Sequence, residues 1–114
     1  MITNTLNVKE KELKAINFKE FLPIVYDDIE PHLMKELNNL REKLISMPDD
    51  STEIEKMILF EECVYALNAI DEDENVESGI DTEEREGLCD TLYEMGDMVG
   101  LNSESEYIDE WKTW

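Results

Sequence analysis

The stretch Thr52–Ile70, TEIEKMILFEECVYALNAI, decides the fold class. Thr52 followed three residues on by Glu55 has the form of a capping box, in which each side chain answers the other's backbone N–H. Behind it Ile54, Met57, Ile58, Phe60, Val64, Leu67 and Ile70 recur at helical spacing and supply a broad apolar face. No Gly or Pro interrupts the run, and nothing in it alternates with period two. It reads as one long helix with a side to bury.

The same reading extends in both directions. Upstream, Leu13 and Ile16 support a short first helix from about Val8 to Ile16. Asn17 with Glu20 opens a longer element whose apolar stripe runs Phe18, Phe21, Leu22, Val25, Ile29, Leu33, Leu37, Leu40, Leu44. Pro23 interrupts that stripe, and Pro31 is expected to kink or split it near Glu30. Pro48 and Asp49-Asp50-Ser51 close it. Downstream, Asp81 with Glu84 repeats the capping-box pattern before Leu88, Leu92, Met95 and Val99. Gly100 then suits a left-handed C-cap, with Leu101 placed for the hydrophobic contact of a Schellman motif. Ser103 with Glu106 signals a last short helix carrying Tyr107, Ile108, Trp111 and Trp114. The expectation is an all-α, single-domain bundle of four to five helices over residues 1–114. At 41% hydrophobic residues the chain can fill one core. Cys63 and Cys89 read as half-buried free thiols rather than a disulfide framework.

Charge is the strongest functional signal. Thirty acidic residues face ten basic ones, a net of −20, beyond the ~2–8 that keeps a small domain soluble. Residues 1–48 hold eight acids and seven bases, whereas 49–114 hold twenty-two acids and only Lys56, Arg85 and Lys112. Such a surface repels nucleic acid and anionic lipid. No apolar run reaches the ~20 residues of a membrane span, and the N-terminus lacks a secretory pattern, so the expected compartment is the cytoplasm.

Catalytic and metal chemistries find little support. His32 is the one histidine, beside Pro31, and no nucleophile elbow, phosphate loop or zinc spacing occurs. Asp71, Asp73 and Asn75 match positions one, three and five of an EF-hand, but position six is Val76 and position twelve Thr82. A di-iron bundle needs Glu three residues before a histidine, and Ile29 stands there. The chain reads as a non-enzyme with no cofactor or metal.

What remains is a surface for a basic partner protein. The expected contact residues are the loop acids Asp71, Glu72, Asp73, Glu74 and Glu77, and the helix acids Glu83, Glu84, Asp90, Glu94 and Asp97. To these the last segment adds Tyr107, Asp109, Glu110, Trp111 and Trp114, aromatic residues among acids of the kind enriched at interface hot spots. Trp111 is open between core and interface, while Trp114 is expected to be exposed.

In its small acidic helical format, and in Glu84-Arg85-Glu86-Gly87-Leu88-Cys89-Asp90 through Tyr107-Ile108-Asp109-Glu110-Trp111, the sequence resembles bacterial toxin-immunity proteins of contact-dependent growth inhibition systems. The resemblance implies neutralisation of a cognate toxin domain, often a basic nuclease, by an acidic surface that stands in for phosphates; it assigns no individual residue. A phage-type nucleic-acid mimic that inhibits a host DNA- or RNA-binding protein would share the same physics. An acidic cation-binding regulator belongs to another class and would show calcium-dependent changes in helix content.

Overall fold

A computed structural model describes residues 5–48, 50–76, 79–102 and 106–114, with side chains from Glu10 onward. Among these the secondary structure is entirely helical: α1 (Thr5–Ala15), α2 (Phe18–Phe21), α3 (Glu30–Ser46), α4 (Glu53–Glu72), α5 (Thr82–Met98) and α6 (Tyr107–Trp111). The all-α bundle is as expected. The long second element divides into α2 and α3, and proline chemistry explains the division. Pro23 follows the end of α2. Pro31 lies within the first turn of α3, where its missing N–H costs nothing and its fixed φ suits a helix start.

Two side-chain devices set the other boundaries. Thr52 and Glu55 close the capping box of α4, with bonds of 2.9 and 3.1 Å. The backbone bond from Thr52 holds the Glu55 carboxyl below the usual carboxylate range. Asp81 and Glu84 close the corresponding capping box of α5. At the other end of α5, Gly100 takes φ +89° while the Leu101 N–H donates to the Gly96 carbonyl at 2.8 Å and the Gly100 N–H to Asp97. This is the Schellman pattern, with Leu101 buried as its hydrophobic contact. The Ser103 part of the cap expected for α6 falls outside the described residues.

The core joins these pieces. α3 packs on α4, α1 bridges α3 and α5, α2 lies on α5, and α6 folds back on α4. Leu33, Leu37, Leu40 and Leu44 meet Phe60, Val64 and Leu67, while Leu88, Leu92 and Met95 bring in α5; all are essentially sealed from water. Arg41 fastens α1 to α3. Its guanidinium donates to the Ile16 carbonyl at 2.9 Å and to that of Leu13 at 3.4 Å, and lies 4.3 Å above the Phe18 ring.

α4 departs from the single broad face expected of it. Phe60, Cys63, Val64 and Leu67 point inward, whereas Ile54 is 73% exposed, Ile58 48% and Tyr65 52%. The helix is apolar on two sides, so burying one leaves the other in solvent. No helix among the described residues is long and apolar enough to cross a membrane.

The cysteines are free, Cys63 buried and Cys89 half-buried. Desolvation pushes the Cys63 thiol up to about 12, and raises Cys89 as well. Because the thiolate is the reacting form, iodoacetamide at neutral pH should label Cys89 first and reach Cys63 only on unfolding. The stability contributed by the neutral Cys63 thiol is intact below the pKa of an unfolded thiol. It should fall as pH rises from about 9 toward about 12. A melting temperature that is flat across this window, or equal labelling of both thiols, would contradict the burial of Cys63.

Candidate partner-binding surface

Five carboxylates form a line along α5. Glu83, Glu86, Asp90, Glu94 and Asp97 are all exposed and follow one another at steps of three or four residues, the spacing that places side chains on one helical face. The line extends about 21 Å at the helical rise of 1.5 Å per residue. Every neighbouring pair along it is a like-charge pair, each unfavourable by roughly 0.2–0.5 kcal/mol. Glu94 and Asp97 also stand in the C-terminal half of the helix, where the macrodipole disfavours negative charge.

The bases of this half of the chain do not answer that line. Lys56, from the first turn of α4, donates to the Val99 carbonyl at 2.8 Å and so caps the end of α5. Arg85 donates to the Thr82 hydroxyl at 3.4 Å. Lys112 pairs with Asp109 at 3.3 Å, the one ion pair among the described residues from Asp50 onward. Among the described residues no ion pair reaches the line of carboxylates.

At its N-terminal end stands an apolar element. The segment between α2 and α3 runs across α5, held by the Tyr26 N–H, which donates to the Glu84 carboxylate at 3.4 Å. That tether leaves Ile24 68% exposed and Tyr26 52% exposed. Two shallow clefts result, of about 280 and 230 Å³: one between Tyr26 and Asp81–Glu84, the other between Pro23, Ile24 and Glu83, Glu86 and Asp90. Exposed apolar side chains against unpaired carboxylates are the components of a protein interface with a charged rim.

The expected contact residues separate accordingly. Glu83, Asp90, Glu94 and Asp97 share the α5 line, to which Glu86 belongs as well. Glu72 is exposed at the end of α4, Asp73 and Glu74 in the turn after it, and Asp109 and Glu110 on α6. Glu77 lies outside the described residues. Four expectations are corrected. Glu84 is buried, because its carboxylate completes the α5 capping box and anchors Tyr26. Tyr107 is core, its ring edge-on to Phe60 and Tyr93 at 6.1 and 5.3 Å. Asp71 is half-buried and accepts the Ile80 N–H at 2.6 Å, which closes the turn between α4 and α5. Trp114 is half-buried against the core rather than exposed.

Trp111 is half-buried and touches both environments: its ring packs on Tyr107 at 5.8 Å and also borders a groove with α4. Asn68 fixes it there, donating to the Trp111 carbonyl at 2.9 Å and accepting the Thr113 N–H at 3.1 Å. Sequence reasoning did not single out Ile24 and Tyr26. They flank Val25 within the apolar stripe, and only the break of the helix at Pro23 turns them outward.

The Asp73 carboxylate of the EF-hand-like stretch accepts the Asn75 N–H at 2.8 Å, an ordinary Asx turn. Among the described residues no group of His, Cys, Asp and Glu is arranged to hold a metal ion.

No curated protein and no solved structure matches the chain. Over residues 4–113 it matches the family described as Domain of unknown function (DUF4844), and the chain belongs to that family.

Proposed function

We propose that this member of the DUF4844 family binds and neutralises a basic protein partner, with the α5 carboxylates laid across the partner's cationic surface. The observation that carries the reading is the line Glu83, Glu86, Asp90, Glu94 and Asp97, held at an intramolecular cost and with no ion pair among the described residues. Fold stability alone does not favour it, since alternating charges on the same positions would be better by about 2–4 kcal/mol. A cationic partner offsets that cost on binding. Long-range attraction would accelerate encounter, and Ile24 and Tyr26 would supply the apolar contact that slows dissociation. The resemblance to immunity proteins makes a basic toxin domain, a nuclease above all, the partner of first choice. Its groove would receive the carboxylates in place of phosphates.

The test is growth of cells that express the product of the adjacent gene, with and without this chain. Rescue of a toxic neighbour is expected, through a complex whose association rate falls steeply with salt. The triple substitution Glu86→Gln, Asp90→Asn, Glu94→Gln should reduce the association rate at low salt on the order of tenfold. The same variant should melt at an unchanged or slightly higher temperature, because like-charge neighbours have been removed. An association rate indifferent to these three changes would sink the reading.

A further inference from the structure

A second surface lies at the opposite end of the α4–α5 hairpin. The two helices run antiparallel: Asp71, in the last turn of α4, bonds Ile80 just before α5, while Lys56 in the first turn of α4 reaches Val99 at the end of α5. The segment bearing Ile24 and Tyr26 packs near the start of α5. The exposed apolar side of α4 begins beside the end of α5 instead. There Ile54, Met57 and Ile58 form the floor of an open groove of about 650 Å³, walled by Trp111 from α6. Tyr65, one turn beyond Glu61, prolongs the same face, its hydroxyl donating to the Glu61 carboxylate at 3.2 Å. Ile54, Ile58 and Tyr65 fall within about 40° of one another on a helical wheel and extend over about 16 Å, three turns of helix.

We infer that this groove seats an amphipathic helix of a partner protein whose apolar face is flanked by lysine or arginine. Shape and charge argue for that occupant. A stripe of three turns, apolar at Ile54, Ile58 and Tyr65 and interrupted by the Glu61 carboxylate, with a wall along one side, matches the way a helix lays residues i, i+4 and i+7 into a groove and offers a lysine or arginine among them an acceptor. Glu53 and Glu61 line the groove, and Glu55 and Glu62 are exposed on the same helix. Lys56, the one base of α4, is committed to the Val99 carbonyl. The rim is therefore negative with no base of its own helix free to balance it. A second copy of this chain is a poor occupant, since it would bring a net charge of −20 and place the same carboxylates against each other. Trp111 is the natural hot spot, pinned by Asn68 and presenting a half-buried ring at the groove wall.

The probe is a synthetic amidated peptide of about 18 leucine and lysine residues, patterned as an amphipathic helix. A scrambled peptide of identical composition is the control for plain charge attraction. Titration calorimetry at about 0.15 M salt should show the patterned peptide binding at least about tenfold more tightly than the scrambled one. Ile54→Ser with Ile58→Ser should cost about tenfold in affinity for the patterned peptide. Both side chains are solvent-exposed, so circular dichroism should show the fold retained. In a Trp114→Phe background, Trp111 emission should shift on binding. Equal affinity for the two peptides, or for the native chain and the double serine variant, would overturn the proposal. A dimer in sedimentation that the serine variant dissociates would overturn it too, in favour of a second copy.

Discussion

Gly87→Ala is expected to lower the stability of the fold by about 3 kcal/mol and to disturb the α5 surface with it. Gly87 lies where α2 crosses α5. A Cβ built there would run into the Phe21 carbonyl, with Leu22 Cδ2 at 2.7 Å and the Phe21 carbonyl carbon at 3.1 Å. A side-chain tip could swing away, but a backbone carbonyl moves only if α2 moves. In the opposite direction, replacing a mid-helix glycine by alanine gains about 1 kcal/mol of helix propensity. The clash outweighs that gain because it falls on backbone in a close-packed region. In a domain of ordinary stability, ~5–15 kcal/mol, such a loss should lower the melting temperature by roughly 10 °C. Displacing α2 also drags the segment that carries Ile24 and Tyr26, so the variant should lose affinity for the proposed basic partner as well as stability. A melting temperature equal to or above that of the native chain would mean that α2 does not rest on Gly87.

This dependence shows which parts of the protein could be read from the chain alone. Local signals came through intact. The capping boxes at Thr52/Glu55 and Asp81/Glu84, the Gly100–Leu101 terminus and the Leu33–Leu37–Leu40–Leu44 stripe each involve residues a few positions apart, and all appear in the structure. The acidic line on α5 is likewise visible as a spacing of three and four. Pairings that cross the chain were not legible. Glu84 resembles its neighbours in sequence, yet the Tyr26 N–H, 58 residues away, makes it a buried anchor rather than a surface acid. On α4, apolar residues on two sides gave no means of choosing the buried one. That choice is made by α3, whose leucines meet Phe60, Val64 and Leu67 and leave Ile54 and Ile58 in solvent. Tyr107 and Trp111 sit four positions apart on one short helix, but only the packing of α6 on α4 decides that the first is core and the second borders a groove.

That packing can be probed at its tightest point. Gly96→Ala is expected to cost about 2–3 kcal/mol, and Tyr107→Phe to restore it. A Cβ at Gly96 would overlap the Tyr107 hydroxyl, whereas Cζ would stand 3.5 Å away and Leu101 Cβ 3.8 Å away, both ordinary contacts. The ring cannot swing aside, because Phe60, Tyr93 and Trp111 surround it at centroid distances of 5.3–6.1 Å. The hydroxyl itself is buried without a hydrogen-bond partner, and burial pushes its pKa up. Removing it alone should therefore be neutral to mildly stabilising, since a buried polar group that makes no bond contributes only its desolvation cost. In the double variant the clash is gone and the alanine adds about 1 kcal/mol of helix propensity, so its stability should match or exceed that of the native chain. Urea or thermal unfolding of the four proteins measures the coupling, expected at about 3 kcal/mol. Additivity to within about 0.5 kcal/mol would mean that Tyr107 does not pack on Gly96. Since the Tyr107 ring supports Trp111, α6 would then no longer set the wall of the α4 groove.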